Sequence, residues 1–356
     1  MSQFRDNLPL FREMNAHIPG ILKKSLAEAG IIVASVESRI KEEGSLRGKL
    51  LRKGDKYRSL SDITDLLGVR IITFYIDDVD KVASLVERLF DIDWDNSIDK
   101  RKILRTDTFG YLSLHYICSI PEAAGDAAGL KDAGKFRFEV QMRTLLQHAW
   151  ANMNHDTGYK SGVEVPNEYL RNMNRLAGML ELADEQFSRI RTDINNYRRR
   201  VQALVASGNL SEVPLDGDSF RSYLATGPFD ALNRKIAAIN QAEIQEVPLM
   251  PFLPLFKGMG MQTLGDIGKM VKRCSDGAYQ IACYQLSLTD LDIVASSIGP
   301  QNLCIAYILL SGGGTAGLKY MFDTLNGPSE SNQIMAGMLV KQASDMPFMN
   351  QNLQMP

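Results

Sequence analysis

Charge is spread unevenly along this chain, and the unevenness constrains folding more than any single motif. Residues 1–200 carry 31 Lys and Arg and 29 Asp and Glu, whereas residues 201–356 carry only 9 and 13. A stretch that poor in charge must hide its side chains in a core of its own or against a partner, so one core serving all 356 residues is disfavoured. All four histidines fall in the first stretch, and ten of the 16 methionines fall in the second. The turn-forming Ser207-Gly208-Asn209 and the Pro214 to Asp218 segment offer a boundary between them. The expected domains are therefore 1–205 and 206–356.

The formal net charge of the whole chain is only −2, so no global field draws it to nucleic acid or an acidic membrane. Around Leu303 to Leu310 runs the longest apolar stretch, far short of the ~20 residues a membrane span needs. A basic segment followed by an apolar one does not open the chain, so a secretory signal is not expected. The cysteines, Cys118, Cys274, Cys283 and Cys304, lie far apart, which argues against a disulfide framework and against a zinc knuckle. These features together suit a protein of the cytoplasm.

The first domain alternates helical and strand signals. Residues 8–42 read as one or two helices interrupted at Pro19-Gly20. The β-branched and aromatic Val69 to Tyr75 reads as a strand, and Val79 to Phe90 as an amphipathic helix with Val82, Leu85, Val86 and Leu89 on one face. Tyr111 to Ser119 and Phe136 to Met142 are further strands, and Thr144 to Asn154 is a helix. Asn167 to Leu204 carries Leu170, Met173, Leu176 and Leu180 at helical spacing. The fold class is α+β, with a small mixed or antiparallel sheet flanked by helices.

Two of those strands carry polar chemistry on one face. Side chains alternate along a strand, so Phe138, Val140 and Met142 oppose Glu139, Gln141 and Arg143. Likewise Leu112, Leu114 and Tyr116 oppose Tyr111, Ser113 and His115. A half-exposed antiparallel strand commonly has a solvated polar face, but two such faces with carboxylate, guanidinium, imidazole and hydroxyl groups invite a functional reading. On the next helix His148, Asn152 and His155 share a face, with Tyr159 and Lys160 just beyond. Two histidines seven residues apart are a poor zinc site, and a polar network closing a cleft fits better. Asp65 directly precedes the entry to the first strand, where it is either a turn residue or a site residue.

Upstream, Arg39 to Lys49 continues to Arg52-Lys53. Read as about three helical turns, it stacks Lys41, Ser45 and Lys49 at i, i+4 spacing. Such a stripe is either a solvated face or a seat for an anion with several phosphates. The common phosphate loop is missing, since Gly312-Gly313-Gly314 is followed by Thr-Ala-Gly-Leu rather than Lys and reads as a turn between helices.

In order, Arg39-x-Lys41, Ser45, Lys49, Asp65 five residues before Arg70, Gly110-Tyr111-x-Ser113-x-His115, Phe138-Glu139-x-Gln141-x-Arg143 and Asn154-His155 leading to Tyr159-Lys160 resemble the synthetase domain of RelA/SpoT-type alarmone synthetases. The likeness covers about residues 20–200 and points to the small, synthetase-only branch with an added C-terminal region. It implies a nucleotidyltransferase-like fold and an ATP:nucleotide 3′-diphosphotransferase, moving the β,γ-diphosphate of ATP to the 3′-hydroxyl of GDP or GTP to make ppGpp or pppGpp. It further implies that Arg39, Lys41, Ser45, Lys49 and Arg70 bind ATP, that Asp65 and Glu139 hold Mg²⁺, and that Glu139 takes the proton of the attacking hydroxyl. Tyr111 would stack on the acceptor base, with Ser113, His115, Gln141, Arg143, His148, His155 and Lys160 lining the acceptor and transfer site.

One stretch departs from the family. Where a Lys and an Asn often precede the Gly-Tyr, this chain reads Thr106-Asp107-Thr108-Phe109-Gly110-Tyr111. Lys102 and Arg105, in the basic Lys100 to Arg105 cluster, could serve the acceptor's phosphates instead. That leaves a second reading open, a toxic relative that pyrophosphorylates the 3′ end of tRNA or an adenine nucleotide under control of its C-terminal domain. The C-terminal region itself reads as all-α, with helices near Phe229 to Asn240, Thr263 to Cys274, Leu288 to Ile298, Cys304 to Leu310 and Thr315 to Leu325. Its low charge and its methionines suit a large core or a surface for a protein partner or a homo-oligomer.

Overall fold

The computed structural model describes residues 2–53, 57–103, 113–130, 132–154, 167–287, 289 and 291–350. It divides into two compact units, Met1–Thr192 and Asp193–Pro356. In chain order the first holds α1 (Ser2–Asp6), α2 (Leu8–Glu28), β1 (Val33–Ile40), α3 (Glu43–Lys53), β2 (Leu67–Thr73), α4 (Ile76–Leu89), β3 (Asp91–Asp99), α5 (Lys100–Ile103) and β4 (Leu114–Ser119). It continues with α6 (Glu122–Ala127), β5 (Phe138–Thr144), α7 (Leu145–Asn154) and the start of α8 (Asn167–Ala206).

Helix α2 runs through Pro19 without the interruption its sequence suggests. A proline inside a helix costs about 3 kcal/mol. Phe11, Met14, Ile18, Leu22 and Leu26 are all buried along one stripe, and at roughly 1.5–3 kcal/mol for each such side chain their burial outweighs that cost. The helix ends in a Schellman motif: Gly30 adopts φ 66°, its N–H bonds Ala27 O at 3.0 Å, and Ile31 N–H bonds Leu26 O at 2.9 Å. The chain then enters strand β1, so the helical expectation for residues 33–42 is corrected. Val33 and Val36 favour the extended form, and cross-strand pairing with β2 supplies the backbone bonds.

Five strands form one mixed sheet in the order β1-β2-β5-β4-β3, with β2 and β5 parallel and the other pairs antiparallel. Val69, Ile71, Leu114, Tyr116, Cys118, Phe138, Val140 and Met142 all point to one side, where α2 and α4 cover them to make the core. Strand β3 is not foreshadowed by strand-forming residues, because Asp91, Asp93, Asp95 and Asp99 are poor strand formers. It lies at the edge of the sheet, where Arg137 binds the Asp93 carboxylate and a bulge falls between Asp93 and Ile98.

The second unit collects the last turns of α8 with α9 (Gly217–Leu224), α10 (Asp230–Ala237), β6 (Glu243–Gln245), α11 (Phe252–Gly258), α12 (Leu264–Ser287), β7 (Ile293–Ala295), α13 (Ile298–Leu310), α14 (Gly314–Asn326), α15 (Glu330–Ala343) and α16 (Pro347–Asn350). The units divide inside α8 rather than at 205/206, because Tyr197, Val201, Leu204 and Val205 pack into the second core. The Ser207 to Asn209 turn that suggests the later boundary does end the helix.

Nine buried residues make α13 apolar nearly all round, as a central helix must be. The helix expected over Leu288 to Ile298 is corrected. There β7 pairs in parallel with β6, Ile293 and Val294 being β-branched, so the unit is helical with one short two-stranded sheet. Gly312 and Gly314, both at positive φ, make the turn between α13 and α14. Among the described residues no helix is long and apolar enough to cross a membrane.

Candidate active site

Sheet register builds the site. Residues opposite one another in register share a face. One row runs Arg39, Gly68, Glu139, and the next runs Glu37, Arg70, Gln141, His115. These side chains project from the face opposite the core. With Lys41, Ser45, Lys49, Arg52 and Asp65 they line a cavity of about 920 Å³, His115 lying just outside its lining. Gly68 sits between Arg39 and Glu139 with nothing within 4 Å of where a Cβ would be, so its missing side chain keeps the floor open.

One wall comes from the end of β1, the turn after it, α3 and the segment before β2. Lys41 N–H bonds Leu66 O at 2.8 Å, which brings that turn beside Asp65 although 24 positions separate the two side chains. Lys41 Nζ donates to Asp65 Oδ2 at 2.5 Å and Lys49 Nζ donates to Oδ1 at 2.7 Å. Burial pushes the Asp65 carboxyl up, but the two ammonium donors outweigh it and hold the group below its ordinary value. Lys49 is shifted the opposite way. Burial lowers it, while the bond to Asp65 and the neighbouring Tyr57, whose ring centre is 5.3 Å from Nζ, raise it overall. The cationic stripe is therefore corrected: Arg39 lies in strand β1, Lys41 lies in the turn, and only Ser45 and Lys49 share the face of helix α3.

The other wall is β5 with β4. Glu139 Oε1 accepts from His115 Nδ1 at 2.8 Å, and Oε2 accepts from Gln141 Nε2 at 2.9 Å. Ser113 Oγ lies 2.6 Å from His115 Nε2. Nδ1–H faces the carboxylate, and Nε2 accepts from the Ser113 hydroxyl when the ring is neutral and donates to it when the ring is protonated. Burial raises the Glu139 carboxyl and the hydrogen bond and charge of His115 lower it, with Gln141 helping, so that it stands below the usual glutamate value. The Asp65 charge opposes that shift, so the two carboxylates feel each other.

Not every candidate lines the cavity. Ser113 is fully buried and reaches the site only through His115. Arg143 is buried at the end of β5. His148 Nε2 meets Asn152 Nδ2 at 2.9 Å; burial and the charges of Arg143 and Arg70 lower its pKa. Tyr111, Arg105, His155 and Lys160, and the side chain of Lys102, lie outside the described residues. Glu37, which pairs with Arg70 at 3.3 Å, is a further site residue that the sequence does not mark, because its segment reads as helix. Strand alternation, which puts Glu37 and Arg39 on one face, is the signal that would have found it.

No group of three or more His, Cys, Asp and Glu gathers as a metal cage among the described residues. Asp65 and Glu139, two carboxylates lining one cation-rich cavity, do fit Mg²⁺, which takes its remaining ligands from water and phosphate oxygens.

Residues 38–164 match a protein-family model described as "Region found in RelA / SpoT proteins". Over 167 residues the chain is 26% identical to GTP pyrophosphokinase YwaC of Bacillus subtilis (strain 168), covering 46% of this chain and 76% of that protein. Over 162 residues it is 27% identical to GTP pyrophosphokinase YjbM of the same organism, covering 45% and 72%. The solved small alarmone synthetase 1 from Bacillus subtilis superposes with a TM-score of 0.46 at 21% identity, covering 55% of this chain and 100% of that one.

Proposed function

We infer that this chain, whose first unit carries a small RelA/SpoT-type synthetase domain, is a pyrophosphokinase that moves the β,γ-diphosphate of ATP to the 3′-hydroxyl of GDP or GTP. The observation that carries the reading is the convergence of Arg39, Lys41, Ser45, Lys49 and Arg70 with Asp65 and Glu139 in one cavity. A polyphosphate needs several cations at its oxygens, and phosphoryl-type transfer relies on positioning and charge neutralisation more than on covalent chemistry.

Lys41 and Lys49 exchange their bonds to Asp65 for bonds to the ATP phosphates, and Ser45 adds a hydroxyl donor from the same helix face. Arg39 and Arg70 flank the open floor at Gly68 and hold the donor nucleotide. Asp65 and Glu139 would hold Mg²⁺, which supplies further charge neutralisation at the transferring phosphates. Glu139, kept ionised by His115 and Gln141, accepts the proton of the 3′-hydroxyl. The freed 3′-oxygen bonds to the β-phosphorus, the bond from that phosphorus to the α,β-bridging oxygen breaks, and AMP leaves. His115 and its Ser113 partner fix the proton acceptor in place. Arg143 and His148 flank the acceptor side, and the family resemblance adds Tyr111, Lys102, Arg105, His155 and Lys160 there.

The test is to incubate the protein with ATP labelled in the γ-phosphate and, in turn, GDP, GTP, adenine nucleotides and deacylated tRNA. Label moving to GDP or GTP is the expected result. Label found only on tRNA or on adenine nucleotides would replace the guanosine acceptor with the other class. No transfer to any acceptor would overturn the enzymatic reading.

A further inference from the structure

The second unit is poor in cations, and those it has are not evenly placed. Of the nine Lys and Arg in residues 201–356, Lys269, Lys272 and Arg273 stand within five positions of α12. Lys269 and Arg273, one helical turn apart, line a cavity of about 430 Å³ together with Asp266 and Met270 from the same helix face. Ligand pockets span roughly 300–1,000 Å³, so this one suits a small molecule.

One wall is fixed by its backbone. Helix α11 ends in a Schellman motif, in which Gly260 at φ 83° gives its N–H to Lys257 O at 3.0 Å and Met261 N–H bonds Phe256 O at 3.1 Å. The next residue is held from both sides. Leu215 N–H bonds Gln262 O at 2.8 Å, and Gln262 N–H bonds Asp266 Oδ2 at 3.2 Å. The same Oδ2 accepts from Thr263 N–H at 3.0 Å and from Thr263 Oγ1 at 2.9 Å. A wall tied down in this way loses little freedom when a ligand arrives.

The lining divides into an apolar part and a charged part. Met261 and Met270 are buried, and half-buried Tyr307 from α13 adds a ring. Thioether sulfurs and a tyrosine ring favour contact with a flat aromatic group. On the charged side the loop occupies Asp266 Oδ2, which leaves Oδ1 at 3.3 Å from Lys269 Nζ, on a side chain 78% exposed. Arg273 is exposed and forms no hydrogen bond or ion pair among the described residues. Two cations against one carboxylate leave the cavity a single net positive charge. That balance suits a monoanion better than a phosphate monoester, which carries about −1.5 to −2. The planar fork of an arginine matches a carboxylate in particular.

We propose that this cavity binds a small aromatic carboxylate, its ring against Met261, Met270 and Tyr307 and its charge on Arg273 and Lys269. None of these groups lines the cavity on the sheet, and the inference does not depend on the proposed reaction.

Calorimetric titration of the full chain with 2-naphthoate, with its neutral counterpart 2-naphthamide and with acetate is the test. Saturable binding of one 2-naphthoate per chain is expected, with the amide and acetate each weaker by about 10-fold or more. Arg273→Met, which removes an exposed side chain, should weaken 2-naphthoate by about 10-fold or more. Lys269→Met should weaken it by about two- to five-fold, and both variants should keep the parent's circular dichroism. Lys341→Met, at an exposed position on α15, should change nothing. Absence of saturable binding at millimolar 2-naphthoate overturns the proposal, and so does binding that Arg273→Met and Lys269→Met leave unchanged. Equal affinity for the amide would overturn the anionic half of the proposal, and equal affinity for acetate would overturn the aromatic half.

Discussion

The two walls of the cavity hold their carboxylates by different means. Asp65 sits between two ammonium groups that carry a fixed charge, with donor distances of 2.5 and 2.7 Å. Glu139 sits between an imidazole and a neutral amide, at 2.8 and 2.9 Å. Both carboxyls are held below their ordinary values, yet the partners of Asp65 can leave for phosphate oxygens while those of Glu139 belong to the sheet itself. The difference suits a binding wall whose charges redistribute when polyphosphate arrives and a chemical wall that must not move. A change confined to one wall therefore shows whether the other responds.

Glu139→Gln carries the largest expected effect. The amide keeps the shape and can still accept from His115 Nδ1, but it cannot take a proton or give a charge to a cation. A general base is worth about 10²–10⁴-fold, so kcat should fall by about 10³-fold or more while the thermal midpoint stays near that of the parent. Activity above a tenth of the parent's would take the proton-accepting role away from Glu139.

Lys41→Met and Lys49→Met come next. A hydrogen bond to a charged group contributes about 1.5–3 kcal/mol, so kcat/KM for ATP should drop by about 10- to 100-fold in each variant. The loss belongs in KM for ATP and should leave KM for the acceptor alone. If steady-state kinetics showed the acceptor term moving instead, the wall around Asp65 would not be the donor side.

Much of the second wall was legible because strand alternation is local. Glu139, Gln141 and Arg143 share a face by counting in twos, and so do Ser113 and His115. The first wall was less legible for a physical reason. Asp65 and Lys41 meet through a turn-to-strand backbone bond across 24 positions, a contact no periodicity encodes. The polar Glu37, Ser38 and Arg39 hid strand β1, although Gly30 at a left-handed cap already marked where the helix had to stop. Strand β3 was hidden by its aspartates, whose cost is met by Arg137 from the loop before β5. The apolar residues of α8 were visible as helical spacing, but which face the helix turned to the fold was not, since that depends on Thr144 meeting Asp184 and on Arg191 meeting Asp78 in three dimensions.

His115→Ala should shift the pH profile more than the rate. Burial alone would push the Glu139 carboxyl up, and the hydrogen bond and charge of His115 are the strongest influences pulling it down. In the parent the ionised form persists as pH falls until the depressed value is reached, so the acid limb of kcat/KM should lie below the usual glutamate value of about 4.3. Without His115 that limb should move to higher pH, and the rate on the plateau should fall by about 10-fold, the size of one lost charge-assisted bond. An unmoved acid limb would mean that the limb reports another group and that His115 does not govern Glu139.

The smallest effect should come from Glu37→Gln. Glu37 faces Arg70 across β1 and β2 at 3.3 Å, but its side chain is 50% exposed, so solvent screens the pair. Exposed pairs are worth about 0.2–1 kcal/mol, which limits the change in KM for ATP to about five-fold, and that change should shrink as salt is added. Its direction tells the walls apart. If Glu37 competes with phosphate for Arg70, as Asp65 competes for its lysines, removing its charge tightens ATP binding. If Glu37 instead orients Arg70, as His115 orients Glu139, binding weakens. A change as large as that of Lys41→Met, undiminished by salt, would place Glu37 among the groups that touch the substrate and break the division between the walls.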